Sequence, residues 1–493
     1  MEAVSDHQAY RAPGGVRYAR HRPEETLLYQ IIDDYYADFV AQFEAEGRSL
    51  PRFVRREFED YLKCGRLEHG FLRVRCTDCH AEKLVAFSCK RRGFCPSCGA
   101  RRMVESAALL VDEVFPEAPM RQWVLSVPFA LRFLFASNPA AMGEALRIVY
   151  RAISGFMVRK AGLTRSTAQS GAVTLIQRFG SALNLNVHFH MLIPDGVYLT
   201  ETDPPYLRRV SPPRTAELQA LVQRICERIG RHLERKGLLV RDLESSHLAL
   251  EPGATEDALT DLQGHSITYR IALGPHKGRK AFMLLSLPPS EEQHSSDRVA
   301  QASGFSLHAG VAALADQRDK LERLCRYVSR PAVAIERLSL TAQGLLRYAL
   351  KTPYRDGTTH VIFEPLDFLA RLAALVPSPA VNLTRYHGVF APNHRLRAQI
   401  VRGKRGRGGT APAGQGSALP RQVSMSWAQR LKRVFGIEIN RCEHCGGAVK
   451  IIASIEDPEV IDRILEHLRR SDVARQPLPP ARAPPTGSAG LFD

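Results

Sequence analysis

The sequence predicts an α+β protein. An antiparallel sheet with flanking helices forms its centre, a helical and cysteine-rich ribbon domain precedes it, and a small Cys-x-x-Cys module follows. Three observations lead there. From Asn184 to Met191 the residues alternate with period two. Leu185, Val187, Phe189 and Met191 take one face of a strand, and Asn184, Asn186, His188 and His190 take the other. Turn residues stand on both sides, Gly180-Ser181 before and Pro194-Asp195-Gly196 after, as tightly connected antiparallel strands require. Two Cys-x-x-Cys turns, Cys76–Cys79 and Cys95–Cys98, lie fifteen residues apart behind helical patterns.

The chain has 493 residues and a formal net charge of +17. That length allows two to four domains. A basic excess of this size points to a polyanionic partner, because neutralising phosphates releases their counterions. No apolar run reaches the roughly 18 residues of a membrane span, and the N-terminus lacks a charged-then-apolar leader pattern. The expected location is the bacterial-type cytoplasm, on the nucleoid when bound to DNA. Thiols stay reduced there, so the ten cysteines read first as metal ligands.

Residues 1–24 are polar and unpatterned, an expected flexible arm. Residues 25–112 form the first domain. Leu27, Leu28, Ile31, Ile32, Tyr35, Phe39 and Phe43 recur at helical spacing, and a second helix is expected from Phe53 to Leu62. The sulfurs of each Cys-x-x-Cys turn converge, and two turns complete a tetrahedral thiolate site. Cys76, Cys79, Cys95 and Cys98 are therefore the expected ligands of one structural zinc. Cys64 and Cys89 stand near them, as part of a second site or as buried thiols. The segment carries many cations, among them Arg91 and Arg92, which suits a DNA-binding ribbon. A ribbon that only holds its domain together is the plainer alternative.

Residues 113–400 are the expected catalytic domain, with an insertion at about 241–305. Gln122–Val127 reads as a strand ended by Pro128, Leu131–Val158 as helical, and Val173–Phe179 as a further strand. Val197–Leu199 reads as the strand returning after the histidines. Thr215 caps an amphipathic helix through Leu218, Leu221, Val222, Ile225, Ile229 and Leu233. A hairpin is expected from Ser266–Tyr269 and Ala281–Leu284, and another from Gly344–Leu350 and Thr358–Phe363, followed by a helix from Leu366 to Leu375. Residues 401–422 form a flexible basic linker. Residues 423–472 hold a helix at Trp427–Phe435, then Cys442-Glu443-His444-Cys445, an apolar strand and a last helix. Cys442 and Cys445 supply only half of a metal site and need His444, His467, or Cys64 and Cys89 to complete it. Residues 473–493 read as a disordered tail.

His188 and His190 stand side by side on one strand face, close enough to share one cation, Mg²⁺ or Mn²⁺. Two imidazoles bind weakly, so a third ligand is expected from Gln177, Asp195 or the neighbourhood of a tyrosine helix. That helix is Asp316–Arg330. Its stripe is Leu321, Leu324, Cys325 and Val328, and Tyr327 lies off the stripe with Lys320, Arg323 and Arg330, at spacings of three, four and three. Cations around a phenol stabilise its phenolate and hold a phosphate beside it. A tyrosine snorkelling on a basic surface is the plainer alternative. Together these residues suit tyrosine-dependent cutting of single-stranded DNA. Tyr327 is the nucleophile, the ion polarises the phosphate, and the cations hold the strand. Other His-x-His chemistries fare worse, because Met191-Leu192-Ile193 follows where they need acids or a further histidine, and two structural histidines are the plainer alternative.

The stretch from Gln177 to His190, with Cys89-Lys90, Phe94–Cys98, Gln122–Phe129 and Arg385–His394, resembles the rolling-circle transposases of the IS-ninety-one type, including the ISCR relatives. The resemblance implies an N-terminal zinc-binding domain and a catalytic domain of the HUH endonuclease type. It implies metal binding by His188 and His190, attack by Tyr327, and single-stranded DNA at transposon ends as partner. Two-tyrosine relatives carry a second tyrosine one helical turn earlier. That position is Arg323, so the chain resembles a single-tyrosine member. The alternatives are a zinc-ribbon DNA-binding protein, a catalytically degenerate relative, or a replication initiator or relaxase.

Overall fold

The computed structural model describes residues 22–241, 246–249, 257–288, 298–401, 429, 433–434 and 440–473. The expected arm (but for its last residues), the linker after residue 401, most of Trp427–Phe435, parts of the 241–305 insertion and the tail beyond 473 lie outside the described residues. The chain divides into two compact units.

The larger unit opens with α1 (Leu27–Ala45) and α2 (Arg52–Lys63). Thr26 caps α1, its hydroxyl oxygen accepting from the Tyr29 amide at 3.3 Å. The smaller unit draws on both ends of the chain. Its β1 (Phe71–Cys76) and β2 (Glu82–Ala86) come from the ribbon segment. The larger unit resumes with α3 (Pro96–Ala108), which continues as a π-helical turn over Leu109–Val114. Next come β3 (Met120–Ser126), α4 (Phe129–Ser137), α5 (Pro139–Lys160), β4 (Ala168–Gln169), β5 (Gly171–Phe179) and β6 (Leu185–Pro194). They lead to β7 (Gly196–Leu199), β8 (Leu207–Arg209), α6 (Thr215–Arg235), β9 (Leu239–Arg241), β10 (Ser246–Leu248) and α7 (Ala258–Ile267). Then follow β11 (Phe282–Leu285), β12 (Val299–Ala302), β13 (Phe305–His308), β14 (Ala312–Ala313) and α8 (Arg318–Val328). The unit closes with β15 (Leu338–Leu340), β16 (Leu346–Ala349), β17 (Thr358–Phe363), α9 (Pro365–Leu375), β18 (Thr384–Gly388) and α10 (Arg397–Ile400). The smaller unit takes β19 (Val449–Ile455) and α11 (Pro458–Val473) from the other end. No described helix is long and apolar enough to cross a membrane.

A seven-stranded antiparallel sheet organises the larger unit, in the order β12-β13-β3-β6-β5-β18 with β14 beside β3. The period-two pattern of β6 decides what covers each face. Val187, Phe189 and Met191, with Trp123 and Leu125 of β3 and Ile176 of β5, bury against α4, α5 and α6. Each side chain buried this fully stabilises the fold by about 1.5–3 kcal/mol. The opposite face carries Val173, Leu175 and Leu192, covered by Ala107 of α3, the π-turn and α8. The mixed α and β composition with antiparallel sheets agrees with the sequence expectation.

Three local expectations are corrected. Val197–Leu199 does not return along β6. It pairs with β4 and β8 in a separate three-stranded sheet. The corner between them is pinned by Asp195, whose carboxylate accepts two bonds of 2.8 Å from the buried Arg121 guanidinium. Ser266-Ile267 is helical and not a strand. Asp257 caps α7 by accepting from the Thr260 amide at 3.0 Å, and Leu259, Leu262 and Ser266 recur on its buried side. The expected hairpin shrinks to a single bridge, Arg270 opposite Lys280, and β11 pairs with β17 instead.

Candidate active site

β6 runs between β3 and β5. In this register Ser126 and Gln177 lie opposite His188, and Val124 and Leu175 lie opposite His190. Residues directly opposed in an antiparallel sheet project to the same face, so Gln177 shares the histidine face. The two imidazole centroids are 4.8 Å apart and inclined at 62°.

Each ring is held through Nδ1. His188 donates from Nδ1 to the Asn186 carbonyl oxygen at 2.9 Å, which leaves its Nε2 with a lone pair. The His190 Nδ1 meets the buried Gln122 side-chain amide at 2.7 Å. The His190 Nε2 is buried and has no hydrogen-bond partner among the described residues. Burial pushes the His188 pKa down to about 4, with Arg330 and Arg132 adding to it. Burial also pulls the His190 pKa well below the ordinary value, assisted by His188 and Arg330. Both rings are neutral near pH 7, the state in which imidazole binds a metal. A buried orphan nitrogen beside a second neutral imidazole fits a divalent cation.

The tyrosine helix covers this face because its apolar stripe matches the sheet. Leu321, Cys325 and Val328 of α8 bury with Val173, Leu175 and Leu192, and half-buried Tyr327 packs against the same cluster. The Gln177 side chain donates to the Val328 carbonyl oxygen at 3.2 Å, tying the end of α8 to the strand position opposite His188. Arg330 lies 4.4 Å from the Tyr327 ring centroid and donates to the Tyr327 carbonyl at 3.0 Å. The Lys351 ammonium lies 4.8 Å from the same ring. Lys320 and Arg323 are exposed. Arg178, next to Gln177, is buried. Two of its guanidinium nitrogens, Nε and Nη2, have no partner among the described residues, and with Arg330 and Ser329 it lines a cavity of about 120 Å³.

Several of the expected site residues have partners within the protein. Asp195 is engaged by Arg121 and takes no place beside the histidines. Gln177 spends its amide nitrogen on Val328. Arg91 pairs with Asp60, and Arg92 donates to the Val381 and Ser378 carbonyls at 2.6 and 3.3 Å, so both bind the protein itself. The expected four-cysteine group also differs. Cys76 and Cys79 gather with Cys442 and Cys445, within the smaller unit. Cys95 and Cys98 are not in that group, because strand pairing between β1 and β19 brings the later pair to the first. Cys64 and Cys89 meet within the smaller unit as well, the Cys89 amide donating to the Cys64 sulfur at 3.3 Å. Gln122, Arg178 and Lys351 went unnoticed in the sequence. Gln122 alone left a signal, since it alternates with Val124 and Ser126 along β3.

A family model of transposases, Y2_Tnp, matches residues 171–398, and a model of the transposase zinc-binding domain matches residues 31–127. The first range holds His188, His190 and Tyr327, and the second holds Cys64, Cys76, Cys79, Cys89, Cys95 and Cys98. No curated protein and no solved structure matches the chain. With the zinc-binding domain in front and the transposase domain behind it, the chain belongs to the transposases of the IS-ninety-one type.

Proposed function

We propose that this transposase cuts and rejoins one DNA strand at the ends of its element by HUH-type chemistry, as rolling-circle transposition requires. The observation that carries the reading is the pair of neutral imidazoles, His190 buried and His188 half-buried. Both are anchored through Nδ1 under a helix whose Tyr327 ring is flanked by Arg330 and Lys351. His188 and His190 would hold Mg²⁺ or Mn²⁺ through Nε2, and that ion supplies Lewis-acid polarisation of the scissile phosphate. The protein's own groups do the rest. The Tyr327 oxygen attacks phosphorus, a tyrosyl–phosphate bond forms, and the bond to the 3′ oxygen breaks. The phenol proton passes to solvent and the leaving oxygen takes one up as a 3′-hydroxyl. The 5′ end stays on Tyr327, and the reverse step joins it to a new 3′-hydroxyl. Arg330 and Lys351 place positive charge beside the Tyr327 ring, where a phosphate would sit, and Arg178 offers unpaired donors to a phosphate of the bound strand. Arg323 stands where a second nucleophile would be, so each protomer makes one covalent link at a time. Zinc stays structural, and the reduced cytoplasm is where these thiols and the DNA meet.

Incubating the purified protein with single-stranded end oligonucleotides and Mn²⁺ tests this. A covalent adduct is expected on denaturing gels and should vanish in Tyr327→Phe. An adduct that survives the change overturns the nucleophile. Binding without any adduct in the wild type returns the chain to a DNA-binding role.

A further inference from the structure

Both transposase models end before residue 440, yet the smaller unit takes one of the three strands of its sheet and half of one thiol group from beyond that point. We propose that Cys76, Cys79, Cys442 and Cys445 form one structural zinc site whose two halves come from opposite ends of the chain.

The four sulfurs lie within 4.8 Å of one another. Cys76 and Cys445 are 3.4 Å apart, and Cys79 and Cys442 are 3.5 Å apart. A disulfide needs about 2.05 Å. A tetrahedral thiolate centre with bonds of about 2.3 Å sets its sulfurs about 3.8 Å apart. The observed spacing therefore suits a metal and excludes disulfides. The diagonal pattern, first cysteine of one turn beside second of the other, is that of two knuckles facing across one ion.

The turns are built alike. The Cys76 sulfur accepts from the amides of Asp78 and Cys79, and the Cys442 sulfur accepts from those of His444 and Cys445. The residue after each second cysteine is left-handed, His80 at φ 59° and Gly446 at φ 75°. Amides aimed at sulfur favour the thiolate, the form that binds metal.

Strand register brings the turns together. β1 and β19 pair antiparallel from Phe71 opposite Ile455 to Cys76 opposite Val449. β1 therefore ends where β19 begins, and both knuckles fall at that end. The Thr77 amide donates to the Ala448 carbonyl at 2.9 Å, extending the pairing into the turns. Gly447 lets the Asp78 carboxylate of the first turn come close to the second, since a side chain there would have to displace it.

Apolar burial in this unit is small. Among the described residues its core is Phe71, Ile461 and Leu465 with Leu67, Leu84, Ile455 and Ile464 packed against them, and on β19 Ile451 and Ile452 are exposed. A core of this size folds only with a further cross-link, which the metal supplies. Zinc thereby makes the C-terminal module part of the N-terminal ribbon.

The test counts metal in the full-length protein. The Cys76→Ser/Cys79→Ser and Cys442→Ser/Cys445→Ser variants should each carry one zinc fewer per chain than wild type. The quadruple variant should also lose only one. Loss of two from the quadruple, or no loss from the Cys442/Cys445 change, overturns the proposal. A second readout uses wild-type protein and so does not depend on the variants folding. Cys79 and Cys445 should resist alkylation until zinc is stripped, then react together with Cys76 and Cys442. Independent reaction of the two pairs at different chelator concentrations refutes a shared ion. Neither readout involves DNA cleavage, so failure here and failure of the strand-cutting reading are separable.

Discussion

Replacing Gln122 with leucine tests how the histidine pair is prepared for metal. Gln122 is buried, and its amide meets the His190 Nδ1 at 2.7 Å. As placed, the amide nitrogen faces Nδ1; with Nε2 on the metal the ring proton sits on Nδ1, and the amide turns over so that its oxygen accepts it. Leucine nearly conserves volume but removes the acceptor, leaving a buried N–H unpaired. That costs about 1–3 kcal/mol, or roughly 5-fold to 150-fold in an equilibrium constant. The cost falls on the state that demands this tautomer, so Mn²⁺ affinity should drop by about 10-fold to 100-fold. Tyrosine adduct formation, titrated with Mn²⁺, reads it directly. The half-saturating Mn²⁺ concentration should rise by that factor, and saturating Mn²⁺ should restore the wild-type rate. Gln122→Glu, which keeps an acceptor, should recover most of the affinity. An unchanged Mn²⁺ midpoint with a depressed maximal rate would refute the reasoning and make Gln122 a packing residue.

Three further outcomes follow from the same geometry. Asp195→Ala leaves Arg121 buried with only the Ala309 carbonyl, at 2.9 Å. Breaking such a pair costs about 3–5 kcal/mol, so the urea midpoint should fall sharply, while an unchanged midpoint would show the corner relaxes freely. Gln177→Leu cuts the tie from β5 to the Val328 carbonyl. It should slow adduct formation without moving the Mn²⁺ midpoint, and a moved midpoint would make Gln177 a ligand instead. Burial holds the His188 and His387 pKa values down at about 4, His387 further lowered by Arg385. Unfolding lets both rise toward about 6.5 and bind protons. Stability of the metal-free protein should therefore decline as pH falls from about 6.5 toward 4 and stay level above. His387→Gln should flatten part of that decline in pH-dependent denaturation, and an identical profile would refute the assignment.

The histidine strand was legible because its two faces obey one simple rule. Val187, Phe189 and Met191 had to bury, so His188 and His190 had to face the other way, whatever covered them. The same rule made α8 legible, since its stripe could only dock on an apolar sheet face. Register is where the sequence falls silent. Nothing local says that Gln177 lies opposite His188, or that Lys351, beyond β16, reaches the Tyr327 ring. Ser266-Ile267 misled because β-branched residues in a short run resemble a strand, and the capping by Asp257 lies nine residues upstream. The cysteines misled for a related reason. Cys76–Cys79 and Cys95–Cys98 have a familiar spacing, and spacing weighs sequence neighbours only. Strand pairing between β1 and β19 favours a partner more than 360 residues away.

The candidate active site is oriented by bonds within the larger unit. His188, His190, Gln177 and Tyr327 all lie within β5, β6 and α8, and the bonds that orient them are internal to the larger unit. Removing zinc from Cys76, Cys79, Cys442 and Cys445 should therefore leave the Nδ1 anchors and the Gln177 tie standing. On the proposed reading, zinc serves folding of the smaller unit and the divalent ion serves the chemistry. It predicts that the two metals titrate independently. Chelation that strips the thiolate site should weaken binding of end DNA if the ribbon contacts it, while adduct formation at saturating DNA and Mn²⁺ keeps its maximal rate. A maximal rate that collapsed with loss of that zinc would mean the ribbon also orients Tyr327, which no bond within the larger unit requires.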